Sequence, residues 1–378
     1  GGLRLMVSLA VSNELLGNMN PKPGVSTKDK DTTDRQLQYM KDMAARNSSW
    51  MEIAYTPADA RRIIGQNKLA LVLGVEVDSL GGFGKEGECT DAQVEAELSR
   101  LKTMGARHFF PIHLADNAFG GTAFYSDLFL LNHLTLRGAP HRIDSGDSSI
   151  DYKPFEGIYS MVPPGLLNVA AARLERNGRA SIALNGGLRV PFAAAFRDME
   201  AKRLLPPGAF NSQGLTARGQ FAIQKMMDLG LIIDIDHMSG HSTVATLGLA
   251  EARTANGVTG YPVVSGHTHF RPLSWRRNET SDPHKYPTEA DKTDSYVNRI
   301  QRLGGMVAPI TGMHDVRQSG TQIANNAPGT SKSWAQSYLY AISRMGDRNV
   351  GLASDMPMYG RLGPRFGPRS LPLLADDQ

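Results

Sequence analysis

Short apolar, β-branched runs alternate along the chain with stretches of helical period, and that alternation predicts βα units around a parallel sheet. Seven runs stand out: Leu3 to Leu9, Leu69 to Glu76, Arg107 to Leu114, Leu231 to Met238, Pro262 to Thr268, Gly304 to Thr311 and Asn349 to Met356. Helix signals fall between them. Thr56-Pro57 followed by Asp59 supplies an N-cap, a first-turn proline and an acid ahead of Ala60 to Gln66. Thr90 with Gln93 forms a capping box for a helix running to Gly105. Thr216 opens another, whose Phe221, Ile223, Met226, Met227 and Leu229 lie largely on one face before Gly230 ends it. In the last two cases a strand follows at once, which is the αβ half of a barrel unit. The expected fold is therefore α/β, a TIM-type (β/α)₈ barrel occupying residues 1–378 as one domain.

The stretch from Ala115 to Gln213 breaks the rhythm, with Gly120-Gly121, Pro163-Pro164, Gly186-Gly187 and Pro206-Pro207 punctuating mixed polarity. It reads as a long insertion after the C-terminal end of a strand, where barrel loops wall the active site, and it is expected to hold lid or specificity elements, including a helix around Leu166 to Arg176. The tail from Pro357 to Gln378 is aperiodic and rich in proline and glycine. The start Gly-Gly-Leu-Arg lacks an initiator Met and a signal-peptide core, which points to a processed or truncated chain.

Composition narrows the function classes. A single cysteine, Cys89, excludes an intrachain disulfide framework and any CxxC metal site but does not fix the compartment. The net charge of +4 is a small excess with no basic stripe or interleaved aromatics, so nucleic acid is not an expected partner. No apolar run reaches 18 residues, so no transmembrane segment is expected.

Polar residues end strands that are otherwise apolar. Leu-Ala-Leu-Val-Leu-Gly-Val ends in Glu76, Phe-Phe-Pro-Ile in His113, Ile-Ile-Asp-Ile-Asp in His237, Val-Val-Ser-Gly in His267 and Val-Gly-Leu-Ala-Ser in Asp355. Acids and imidazoles are costly to bury unpaired, and this end of parallel-barrel strands supplies catalytic residues, so the set points to a zinc-like ion. Singly, each has a plainer account: Glu76 as a helix cap, Asp355 as a turn residue before Pro357, any one histidine as structural. Five at equivalent positions argue together for a site. His269 lies two residues beyond His267 and shares its strand face if the strand continues that far. Parity puts Asp234 and Asp236 on the face opposite His237, pairing with barrel or helix groups or orienting a ligand from behind.

These residues carry a family resemblance. Leu-Val-Leu-Gly-Val-Glu76, the stretch from Gly-Leu-Thr-Ala-Arg-Gly to Asp-Ile-Asp-His237-Met-Ser, Pro-Val-Val-Ser-Gly-His267 continuing to Arg276-Arg277-Asn278, and Val-Gly-Leu-Ala-Ser-Asp355 resemble, in order and spacing, the renal (membrane) dipeptidase family, peptidase family M19 of the amidohydrolase superfamily. The resemblance runs from about residue 55 to 356 apart from the insertion. It implies a zinc-dependent dipeptidase that cleaves an amide bond through a metal-bound hydroxide. Glu76 would bridge two zinc ions and His237 and His267 would hold one of them. His113 would polarise the substrate, Arg277 would take its carboxylate, with Arg276 as competitor, and Asp355 would shuttle the proton.

The family's first strand carries a His-x-Asp or His-x-His pair, and none is found here, so the first strand is expected to be missing, in agreement with seven runs instead of eight and with no helix long enough to follow the last one. Only three of the family's metal ligands would then remain, making one zinc ion the expectation for this chain and its activity impaired. Other readings on the same scaffold are an amidohydrolase acting on a lactone, lactam or N-acyl amino acid, or a catalytically impaired binding protein. A dipeptide-sized substrate is the expected partner, and a homodimer is an admissible assembly.

Overall fold

Parallel pairing organises the chain. In the computed structural model, which describes residues 2–19, 22–154, 181–184, 188–191, 206–282, 285–311, 316–317 and 331–355, strand β1 (Leu5–Ser12) runs alongside β3 (Leu69–Val77) over its whole length. A short β2 (Met51–Ile53) pairs with the start of β3, β4 (Ala106–Phe110) with its end, and β9 (Ile232–Ile233) with β4, all parallel. A parallel bridge from Asp234 to Val264 leads on to β12 (Val264–Thr268), which pairs with β13 (Met306–Pro309). Bridges from Val307 to Val350 and from Ile310 to Ala353 add the last segment. The result is an α/β fold with an arc of parallel segments in chain order, and among the described residues no pairing joins Val350–Ala353 back to β1.

The connections are the helices that the capping signals announce. Helix α1 (Glu14–Met19) and α2 (Asp29–Arg46) follow β1, and α3 (Pro57–Gly65) starts from Thr56, whose side chain accepts the Asp59 N–H. α4 (Asp91–Thr103) has the full Thr90/Gln93 capping box, and Gly105 stands beyond it at positive φ. α6 (Ala217–Asp228) is capped by Thr216 and leads straight into β9; α7 (Gly240–Ala252), α8 (Asp294–Arg302) and α9 (Ser331–Met345) complete the outer layer. Leu73, Val75 and Val77 of β3, Phe109 of β4 and Ile233 of β9 pack in one buried core with Leu37 and Met40 of α2, Leu98 and Leu101 of α4, and Ile223 and Met226 of α6. Burial of that apolar surface at ~25 cal/mol per Å² is the main force closing helices onto the sheet.

The residues between β4 and α6 hold α5 (Asp127–Arg137), a two-residue ladder of β5 (Ile143–Asp144) with β8 (Phe210–Asn211), and the antiparallel pair β6 (Ser181–Leu184) and β7 (Leu188–Pro191). Another short hairpin, β10 (Thr254–Ala255) with β11 (Val258–Thr259), follows α7. The expected helix around Leu166 to Arg176 and the tail from Pro357 lie outside the described residues.

β1 is the run expected at Leu3 to Leu9, extended to Ser12, and among the described residues no strand precedes it. β1 occupies the place beside the Glu76 strand, with Val11 paired to Glu76 and Leu9 to Gly74. Paired residues of adjacent strands share a face, so Leu9 and Val11 share the face of Glu76, while Ser8, Ala10 and Ser12 turn to the helices, Ser8 reaching Met40 Sδ at 3.0 Å. What this strand lacks is polar side chains on the Glu76 face.

Candidate metal centre

Glu76 stands near the end of β3 with its side chain almost fully buried. Its Oε1 lies 3.0 Å from His237 Nε2, 3.5 Å from His267 Nε2 and 3.7 Å from His113 Nε2, and the two Nε2 atoms of His237 and His267 are 2.7 Å apart. Ligand atoms of Glu76, His237 and His267 all fall within 4.8 Å of one another, a donor set of one carboxylate and two imidazoles that suits a divalent cation. Burial alone would raise the Glu76 carboxyl; His267, His237 and His113 overcome it and bring its pKa down to about 2. Burial keeps His237 neutral, at about 4.

Strict strand alternation would not assemble this cluster. The pairings of Gly74 with His108 and of His108 with Ile232 put Asp234 on the Glu76 face. His237, three residues on, would face the helices if the strand continued. Instead its backbone turns to φ 64, a left-handed conformation that is uncommon for a residue other than glycine, asparagine or aspartate, and the ring swings to Glu76. In β12 an irregular register between Ser265 and Thr268 sets three steps against two in β13, and this extra residue re-aims His267. Asp234 therefore shares a face with His237, contrary to the expected alternation, while its pairing with a barrel residue, His108, is as expected. It lies on the inner face, 2.8 Å from His108 Nε2 and so close to the backbone at Gly266 that no side chain fits there. Asp236 accepts the His267 N–H at 2.7 Å and lies 2.9 Å from Lys292 Nζ, which fixes the strand end carrying His267.

His113 lies beyond β4, and Thr122 grips its turn by donating its hydroxyl to the His113 carbonyl and, at 3.0 Å, to that of His237. The ring stands edge-on to His237 at 4.7 Å, with Nδ1 2.9 Å from Asp78 Oδ1. Asp355 ends the last segment at φ 46, solvent-accessible. The protein packed around it still raises its carboxyl above the ordinary range, opposed by His267 and helped by Glu76. His269 falls past the end of β12 and outside the three-ligand cluster. Arg277 is also apart from it: its guanidinium donates to the Asp151 carbonyl at 2.8 Å and covers the Tyr286 ring at 4.5 Å. With Arg276, Ser148, Asp151 and Asn278 it lines an open cleft of about 480 Å³.

Two contributors escaped the sequence reading. Asp78 sits two residues after Glu76, and its carboxylate also takes Asn13 Nδ2, Asn132 Nδ2 and the Leu114 N–H; the i, i+2 spacing from Glu76 was its only signal. Tyr125, in the insertion, places its hydroxyl 2.9 Å from His237 Nδ1 and so orients that ring; nothing local in the sequence marks it.

The family model described as membrane dipeptidase (peptidase family M19) matches residues 172–361, a stretch that includes His237, His267, Arg277 and Asp355 and begins after Glu76 and His113. None of the curated proteins matches the chain. Among solved structures, the probable dipeptidase PvdM from Pseudomonas aeruginosa aligns at 14% identity and TM-score 0.52, covering 97% of this chain and 77% of that one. The dipeptidase AC, a metallopeptidase of family M19, aligns at 13% identity and TM-score 0.50, covering 93% and 71%. At such identity these likenesses speak for a shared fold. The family match spans half of the chain, and through it the chain belongs to the membrane dipeptidase family, peptidase family M19.

Proposed function

We propose that the chain is a zinc-dependent hydrolase of dipeptides on a (β/α)₈ barrel, with residues 115–213 walling its mouth. The observation that carries this reading is the convergence of Glu76, His237 and His267 from three separate parallel segments on one buried point. Glu76 Oε1 and the facing imidazole nitrogens are donors that burial penalises unless a cation or proton satisfies them. These three residues fit one ion, as three-ligand zinc sites do. Among the described residues no further ligand joins them from β1, which brings Leu9 and Val11 to the Glu76 face.

A zinc ion so held would supply Lewis acidity and an acidified water. The protein's own groups do the rest. His113, oriented by Asp78, offers Nε2 as a hydrogen-bond donor to the scissile carbonyl oxygen as negative charge develops on it. Asp355, with a carboxyl raised by its surroundings, carries the proton to the leaving amine. Arg277 presents a planar fork at the cleft for the substrate carboxylate.

The apolar pair Leu9 and Val11 favours a second reading, a catalytically impaired binding protein on the hydrolase scaffold. Zinc content and turnover of a dipeptide panel, run beside lactones and N-acyl amino acids, decide between the readings. About one ion at this centre with dipeptide turnover is expected; bound zinc with no turnover of any amide or lactone supports the binding protein and ends the dipeptidase reading.

A further inference from the structure

A second group of one carboxylate and two imidazoles lies in the insertion, outside the centre just described. Asp116 follows β4 in the turn beyond His113, His133 is on α5, and His141 is in the segment leading to β5; one ligand atom from each falls within 4.8 Å of the others. Both histidines are about 96% buried, each 4% exposed. Asp116 Oδ1 is engaged by the Thr122 N–H at 2.9 Å and Asn211 Nδ2 at 2.7 Å, which leaves Oδ2 directed at His141 Nδ1, 3.3 Å away. His133 Nδ1 accepts the Asp116 N–H at 3.2 Å. The two imidazoles stack with centroids 3.5 Å apart, and neither nitrogen of His141 makes a hydrogen bond.

A buried imidazole with both nitrogens unsatisfied costs free energy. Protonating both stacked rings would set like charges in contact, and only one carboxylate oxygen is left to answer them. A cation with affinity for nitrogen satisfies His141 and Asp116 Oδ2 together, with the His133 ring as third ligand. We infer that Asp116, His133 and His141 form a second metal site, for a divalent transition ion of the zinc class. Burial, which holds His133 well below the ordinary histidine range, keeps that ring in the neutral, ligating form.

The ion's role follows from where the ligands come from. It ties the exit of β4, helix α5 and the approach to β5 into one wall. That wall touches the strand-end centre through Thr122, and through Ala123, whose N–H donates to the His237 carbonyl at 2.7 Å. The site is a staple for the insertion, and it stands independently of the hydrolase reading.

The test uses the full chain. Crystals grown with zinc chloride, measured on both sides of the zinc absorption edge, are expected to show an anomalous peak among Asp116, His133 and His141, separate from any at Glu76. In a His237→Asn/His267→Asn background, dialysed against zinc and washed, about one ion per chain is expected to remain and to raise the Tm, with both effects lost on adding His141→Gln. No anomalous peak at this group in zinc-grown crystals overturns the inference even if His141→Gln fails to fold. A His237→Asn/His267→Asn chain that is folded by circular dichroism but holds no zinc overturns it as well.

Discussion

The two clusters have the same donors and opposite construction. Glu76, His237 and His267 come from segments up to 191 positions apart and meet because parallel strands end at one level. Asp116, His133 and His141 lie within 26 positions and meet through a turn and a helix of one insertion. The first has further titratable groups around it, with His113 against Glu76 and Asp355 close enough to perturb His267. The second is packed by Phe124, whose ring stands edge-on to His141 at 4.9 Å, and by amide donors that use up one oxygen of Asp116. One carboxylate with two imidazoles is thus not in itself a catalytic motif. What surrounds it decides whether it is equipped to move protons or only to hold segments together.

Asp355→Asn breaks that contrast most directly. If the strand-end cluster is the chemical one, kcat for dipeptides falls by about 10²–10⁴ while bound zinc and Tm stay at wild-type levels, because a positioned proton shuttle is worth that much. Full turnover in the variant removes Asp355 from the mechanism.

Glu289 connects the two regions. Its carboxylate accepts the N–H groups of Phe124 at 2.9 Å, Asn211 at 2.9 Å and Gly240 at 2.7 Å, and so ties both ends of the insertion to the start of α7. Glu289→Ala strands three buried donors at roughly 1–3 kcal/mol each, so a stability loss of at least about 3 kcal/mol is expected in urea unfolding. A loss under about 1 kcal/mol would show that insertion and sheet are held together by other contacts.

Arg277→Lys is expected to raise KM for dipeptides about tenfold with kcat unchanged, the loss of one charge-assisted hydrogen bond of roughly 1.5 kcal/mol. Unchanged KM, or a larger rise from Arg276→Lys, moves the carboxylate contact to the neighbouring residue.

The smallest expected change sharpens the comparison from the other side. Leu9→His with Val11→Asp puts an imidazole and a carboxylate on the Glu76 face of β1. Val11 is 45% exposed, so most of the packing cost, roughly 1–3 kcal/mol, falls at Leu9 beside Gly74. Zinc content is expected to rise by one ion per chain. An unchanged count would mean that β1 stands too far from Glu76 for a shared second ion.

Sequence by itself determined the elements. Apolar runs of strand length, Thr56, Thr90 and Thr216 as caps, and glycines at positive φ after helices are local choices made by neighbouring residues, and they are legible wherever local propensity agrees with the fold. The same local logic picked out Glu76, His237 and His267, since a polar residue closing an apolar strand is an exception visible along the chain. Only the tertiary structure decided where side chains point. A two-residue period carries no warning of the left-handed turn at His237 or of the extra residue in β12, so alternation misassigned the face of Asp234. That Leu9 and Val11 share the face of Glu76 is a matter of register with β3, which no residue of β1 encodes alone. Asp78, Tyr125 and the whole insertion cluster were silent for the same reason. Their partners lie across folded contacts, and hydrogen bonding and electrostatics act through distance in space, which the order of residues does not contain.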